Sequence, residues 1–338
     1  MLSFMANCYW IICFLVLSCL VEVYKASAGD SDPLYRSCVE QCETTGCVEE
    51  KCFLHCKSSL DDSSGTIYSW WKQSDCQSNC RYHCMLNREQ ERAQIGEGPI
   101  KYHGKWPIQR LLGFQEPLFV LFSALNLFMH FHGLLSYYSL VYDRLPLKPD
   151  KKPFYDHAGL WRIYGLLSIN AWFWSAVFHS RDTGLTEKLD YSSTVALLGY
   201  SLIVAIIRCF GLRLDAAKVM VSAPLIAFTT THILFLHNYK MDYGWNSKVS
   251  VAMGTAQLLI WAIWACVTSH PSRCKLWAVV VGGGLAILLE IYDFHPYQGL
   301  LDVHALWHFS TIPITYIWWS FIKDDAKYRT SILLKKEH

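Results

Sequence analysis

The residues with the clearest capacity for chemistry form one short run, Asp302-Val303-His304-Ala305-Leu306-Trp307-His308. His304 and His308 stand four apart, so on a helix both imidazoles leave the same face, one turn from each other. Two such nitrogens can chelate a single zinc ion at roughly 2.0–2.1 Å. The competing reading of such a pair is packing, or hydrogen bonding to nearby backbone and hydroxyl groups. His179 offers a third nitrogen. Three histidines with one open position are the donor set of a catalytic zinc, which acidifies its water toward a pKa of about 7. Ser175, Asp190, His232, His237, Glu290, Asp293 and Asp302 join these in a layer of polar groups. His130, His132, His232 and His237 have no matching partners in the pattern and read as packed or locally bonded side chains.

The elements that must position this layer are apolar. Of 338 residues 52% are apolar and 17% charged, against about 25% charged in soluble domains. A net charge of +2 gives no basis for a nucleic-acid partner. Stretches long enough to cross a bilayer recur seven times, near 114–141, 158–179, 190–208, 215–237, 249–268, 276–293 and 302–322. Short connections make them one compact bundle, and every group of the polar layer falls at the same end of its span. The expected fold is therefore an all-α membrane protein with a seven-transmembrane helix bundle. Ionisable groups within spans are costly and usually mark function.

Before the bundle come two segments of another character. An uncharged apolar core from Trp10 to Val21, followed by Ala26-Ser27-Ala28, reads as a signal peptide over 1–28, with an uncleaved anchor as the alternative. Over 29–110 lie Cys38, Cys42, Cys47, Cys52, Cys56, Cys76, Cys80 and Cys84. An even set packed after a signal reads as a disulfide framework. The four-residue spacings 38/42, 52/56 and 76/80/84 point to two or three short helices stapled side by side. Zinc ligation is the rival reading, and the pairing is open.

Charge sets the direction. With the head in the lumen, cytosolic connections would hold Arg144, Lys148, Lys151, Lys152, Arg208, Arg213, Lys218, Arg273 and Lys275, while luminal ones hold Arg181, Lys188, Lys240 and Lys248. This bias follows the positive-inside rule. The bundle is expected over 111–322 and a cytosolic tail over 323–338, ending Lys335-Lys336-Glu337-His338 like a dilysine retrieval signal of the endoplasmic reticulum.

Ser175-x-x-x-His179, Asp190 and His304-x-x-x-His308 together resemble the hydrolase superfamily that includes alkaline ceramidases and adiponectin-type receptors. A narrower resemblance covers almost the whole chain. The Cys-rich head, Gly104-Lys105-Trp106-Pro107, Gln115-Glu116-Pro117, Trp172-Phe173-Trp174-Ser175 and the 302–308 run look like the Per-like (post-GPI attachment to proteins) family. That resemblance implies a zinc-dependent acyl ester hydrolase of GPI-specific phospholipase A2 type, removing the sn-2 chain from the inositol phospholipid of GPI-anchored proteins. It implies His179, His304 and His308 as metal ligands, Asp190 as proton acceptor, and Ser175 as oxyanion donor or outer partner of the metal. Glu290, Asp293 and Asp302 would orient these groups. The compartment implied is the Golgi, against the tail's lean to the endoplasmic reticulum. A ceramidase-like amidase and a non-catalytic seven-span receptor or cargo factor are the alternatives.

Overall fold

The computed structural model describes residues 27–53, 56, 67–111, 113–239, 242–292, 294–297, 299 and 301–337, with backbone only at 67–75 and 336–337. The expected signal, apart from its last two residues, Asp293 and the end of the dilysine-like tail lie outside them.

Two antiparallel-paired helices make the head: α1 (Pro33–Thr45) and α2 (Ile67–Gln94). Asp32 caps α1 by accepting from the amides of Leu34 and Tyr35, and Pro33 sits in the first turn, where it lacks no needed donor. Gly46, at φ 74°, ends the helix. Cys38 and Cys42 then face Cys84 and Cys80, giving the disulfides Cys38–Cys84 and Cys42–Cys80. Cys47–Cys52 closes a small hairpin of β1 (Cys47–Val48) and β2 (Lys51–Cys52), and Cys56–Cys76 ties the segment before α2 to that helix. The spacings 38/42 and 76/80/84 thus staple helices side by side, whereas 52/56 does not share a helix face, because Cys52 lies in β2. Cys56, Cys76 and Cys80 approach one another, but each sulfur is already in a disulfide, which removes the zinc reading of the head.

Seven further helices follow among the described residues: α3 (Pro117–Ser139, extended by a wide turn Leu140–Arg144), α4 (Ala158–Ser180), α5 (Gly184–Cys209), α6 (Asp215–Asn238), α7 (Tyr243–Val267), α8 (Arg273–Tyr292) and α9 (Val303–Glu337). Five of them, α3 with its extension and α5 to α8, are long and apolar enough to cross a membrane. The two outside that set, α4 and α9, are diluted by Trp, Tyr, Ser and His, and they carry Ser175, His179, His304 and His308. α9 runs unbroken past the boundary expected at 322, and its 35 residues measure about 52 Å at 1.5 Å per residue.

The helices form a closed ring. α3 packs on α4, α4 on α5, α5 on both α6 and α7, α7 on α8, and α8 on α9, which returns to α3. Closure depends on Gly133 of α3, where a Cβ would lie 2.3 Å from the Trp319 indole of α9. Trp161, Trp261, Trp264, Trp318 and Phe321 fill the half of the core remote from the head. There Arg208 of α5 meets Asp325 of α9, Nε to Oδ2 at 2.8 Å, and Tyr155 donates to the same carboxylate. His270 Nε2 stands 3.5 Å from Asp325 Oδ1, and the Trp161 indole donates to Tyr155.

Candidate active site

Ring closure brings the last turn of α4 against the first two turns of α9. One ring nitrogen from each of His179, His304 and His308 lies within 4.8 Å of the other two. All three imidazoles are oriented by a partner on Nδ1. Glu116 Oε2 is 2.5 Å from His179 Nδ1, Glu290 Oε2 is 2.8 Å from His304 Nδ1, and Ser123 Oγ is 3.1 Å from His308 Nδ1. A carboxylate accepts only from an N–H, so Nδ1 of His179 and of His304 donates to Glu116 and Glu290 respectively. His304 Nε2 and His308 Nε2 are 3.2 Å apart.

That arrangement fits a zinc ion on two counts. Two ligands at roughly 2.0–2.1 Å and a near-tetrahedral angle stand about 3.3–3.4 Å from each other. Metal-bound histidines almost always give their second nitrogen to a carboxylate, carbonyl or similar acceptor. Three imidazoles meeting from two helix ends supply the nitrogen donors such an ion takes.

Phe119 stacks on His179 at 4.7 Å between centroids and touches both other imidazoles, while Trp307 stacks on His304 at 5.5 Å. Trp172 closes the side of His308 at 5.3 Å. These rings pack around the imidazoles and restrict their rotamers, while His304 keeps 39% of its side chain exposed.

Ser175, one turn before His179, reaches the cluster through Ser123, Oγ to Oγ at 3.1 Å. Asp190 is buried in the second turn of α5, where a Thr183–Thr186 capping box sets the helix start after a short turn from α4. Its carboxylate has no hydrogen-bond or ion-pair partner among the described residues, and the charges around it include His304 and Lys105. Asp302 does something other than orient a ligand: it caps α9 by accepting from the amide of Ala305 at 2.7 Å. His232 bonds Asn246, and His237 bonds Ser192. His130 meets Trp319 on α9.

Three further residues contribute. Glu116, within Gln115-Glu116-Pro117, has nothing in its spacing that marks a chemical role. Ser123 sits in an apolar helix with nothing to single it out. Lys105 links outward, its ammonium 3.1 Å from Glu116 Oε2 and 3.0 Å from Asp182 Oδ2. Burial alone would raise the Glu116 carboxyl, but Lys105 and His179 outweigh it and hold it down to about 2. Burial would likewise discharge Lys105, and Asp182 with Glu116 instead push its pKa above the usual lysine value.

A family model described as the Per1-like family matches residues 66–326. The zebrafish protein named GPI-specific phospholipase A2-like PGAP3 is 37% identical over 306 residues, covering 89% of this chain and 91% of its own. Its human counterpart of the same name is 35% identical, with 90% and 91% covered. The fission-yeast Protein PER1 homolog is 35% identical, with 93% and 92% covered. No solved structure matches.

Proposed function

The chain belongs to the Per1-like family, and from that premise we propose that it remodels GPI-anchored proteins by hydrolysing the sn-2 acyl ester of their inositol phospholipid. The observation that carries this reading is the convergence of His179, His304 and His308, each with a hydrogen-bond partner on Nδ1. These residues would hold zinc, which when bound polarises an ester carbonyl and lowers the pKa of water.

The chain's own groups supply the remainder. Asp190, buried and without a hydrogen-bond partner among the described residues, accepts the proton of the attacking water. Ser175 Oγ donates to the oxygen of the tetrahedral intermediate, its orientation set by Ser123. Glu116 and Glu290 keep Nδ1 of His179 and His304 protonated, so that Nε2 faces inward. The Phe119, Trp172 and Trp307 rings exclude bulk water from the reacting ester.

Placement follows the same reading. All seven helices cross the membrane, the Cys-rich head lies in the lumen of the Golgi or endoplasmic reticulum, and the C-terminus is cytosolic. The loop charges support that direction. A phospholipid acyl ester lies between headgroup and chains, at the depth of the polar helix ends, and a GPI glycan faces the lumen.

The test is purification in detergent, metal analysis, and incubation with a GPI lipid. Release of free fatty acid that a chelator abolishes and zinc restores is the expected result. Hydrolysis indifferent to the chelator, or retained in His304→Ala, overturns the metal mechanism.

A further inference from the structure

Between the head and the helix ends lies a half-open cleft of about 90 Å³, lined by α2, by the 102–110 linker and by the start of α5. Its walls are tied together. Gln115 Nε2 donates to Ser78 Oγ at 2.8 Å, and Arg110 Nη1 to Asn79 Oδ1 at 2.7 Å. The Arg110 guanidinium also lies 3.9 Å over the Tyr82 ring. The cleft is therefore preformed, and it shares Glu116 with the histidine cluster.

Its polar groups divide by sign. On the head wall Arg81 is exposed and has no hydrogen-bond or ion-pair partner among the described residues. On the bundle wall Asp182 is bonded only through Oδ2 and Glu187 only through Oε1, so one oxygen of each stays available. Tyr102 and Trp106 add aromatic surface between them. A cation facing two carboxylates across aromatic rings suits a ligand that carries an anion, an ammonium and a sugar face.

We propose that this cleft binds the polar headgroup of the lipid substrate as an aminosugar–phosphate unit, phosphate to Arg81 and ammonium to Asp182 and Glu187. The inference rests on the hydrolase reading above and adds the source of its selectivity. A GPI lipid offers a hexosamine amine beside an inositol phosphate, whereas plain phosphatidylinositol lacks the amine. At about 90 Å³ the cleft encloses only part of that unit, and the rest of the headgroup and glycan lies along its open side. Lys105 joins the two places, since its ammonium contacts Asp182 in the cleft and Glu116 behind His179. A seated headgroup thus lies one ion pair from the residues that meet the ester.

The experiment uses full-length protein in nanodiscs, titrated calorimetrically with chain-free glucosaminyl-inositol phosphate. Saturable binding is expected in the wild type and in His304→Ala, weakened roughly tenfold or more in Arg81→Glu, the size of a lost charge-assisted contact. Inositol phosphate without the amine should bind more weakly than the aminosugar. Unchanged affinity in an Arg81→Glu variant of normal thermal midpoint overturns the proposal, as does phosphoethanolamine competing equally well. The two readings fail separately. Binding without fatty-acid release from GPI sinks the hydrolase and leaves the cleft, while hydrolysis whose KM for GPI is unmoved by Arg81→Glu sinks the cleft and leaves the hydrolase.

Discussion

The bundle carries a buried polar cluster at each end, and the two are built on opposite principles. At the remote end Arg208, Asp325, Tyr155 and His270 answer one another: cation against carboxylate, hydroxyl against carboxylate, indole against hydroxyl. At the head-side end three imidazoles are each held by a partner on Nδ1, and one ring nitrogen of each lies within 4.8 Å of the other two. Burial is similar, with Asp325 and His308 both almost inaccessible. What separates a clasp from a candidate site is therefore the kind of group brought together. A paired cation and carboxylate fix helices against each other, and three imidazoles turned toward one point make a donor set for a metal.

The comparison can be broken most directly at its chemical end. His308→Ala should abolish fatty-acid release and metal retention while leaving the thermal midpoint near the wild-type value. A large loss of folded protein instead would make the cluster a second clasp. The converse belongs to Arg208→Ala, which leaves a buried carboxylate unpaired and should cost about 3–5 kcal/mol of stability. It is read as a fall in thermal midpoint and in the yield of folded protein, with normal specific activity in what survives. Selective loss of activity at full stability would tie the remote cluster to the chemistry.

The outer partners come next in size. Glu290→Gln and Glu116→Gln should each lower metal affinity by roughly 10–100-fold, the usual cost of losing such a partner. Metal titration of the apo-protein checks this, and unchanged affinity would make those carboxylates bystanders.

The smallest effect lies in the head. Burial, aided by Lys51 and Arg110, pushes the His83 pKa down to about 4 from 6.5, and the ring stacks on Phe53 at 5.0 Å. The unfolded chain takes up a proton near pH 6.5 while the folded head resists until about 4. The stability contribution is accordingly full above pH 6.5 and declines across that window. His83→Phe should flatten this slope in the midpoint measured from pH 7 to 4, and an unaltered slope would assign it to other groups.

Disulfides and ring closure mark where sequence and tertiary structure divided the work. A spacing of four between Cys38 and Cys42, and between Cys80 and Cys84, states that each pair shares a helix face, but not which pairs meet. Antiparallel packing of α1 on α2 decided that Cys38 joins Cys84 and Cys42 joins Cys80. Hydropathy marked the bundle, and among its helices α4 and α9 fall outside the five that are long and apolar enough to cross a membrane, because Trp, Tyr, Ser and His dilute their apolar character. Asp302 stands beside His304 in the sequence, and the structure adds that its Oδ1 caps the start of α9.

His304 and His308 were legible together, because helical periodicity alone puts them on one face. So was the polar layer containing Ser175, His179 and Asp190, since ionisable groups stand out against apolar spans. Only the closed ring could place His179 against the α9 pair, and supply Glu116 from 63 residues before it and Ser123 from 185 residues before His308. Periodicity is a property of local backbone geometry and is written in the chain. Which nitrogen of each imidazole turns inward depends on an acceptor brought from another helix, and that is settled by packing.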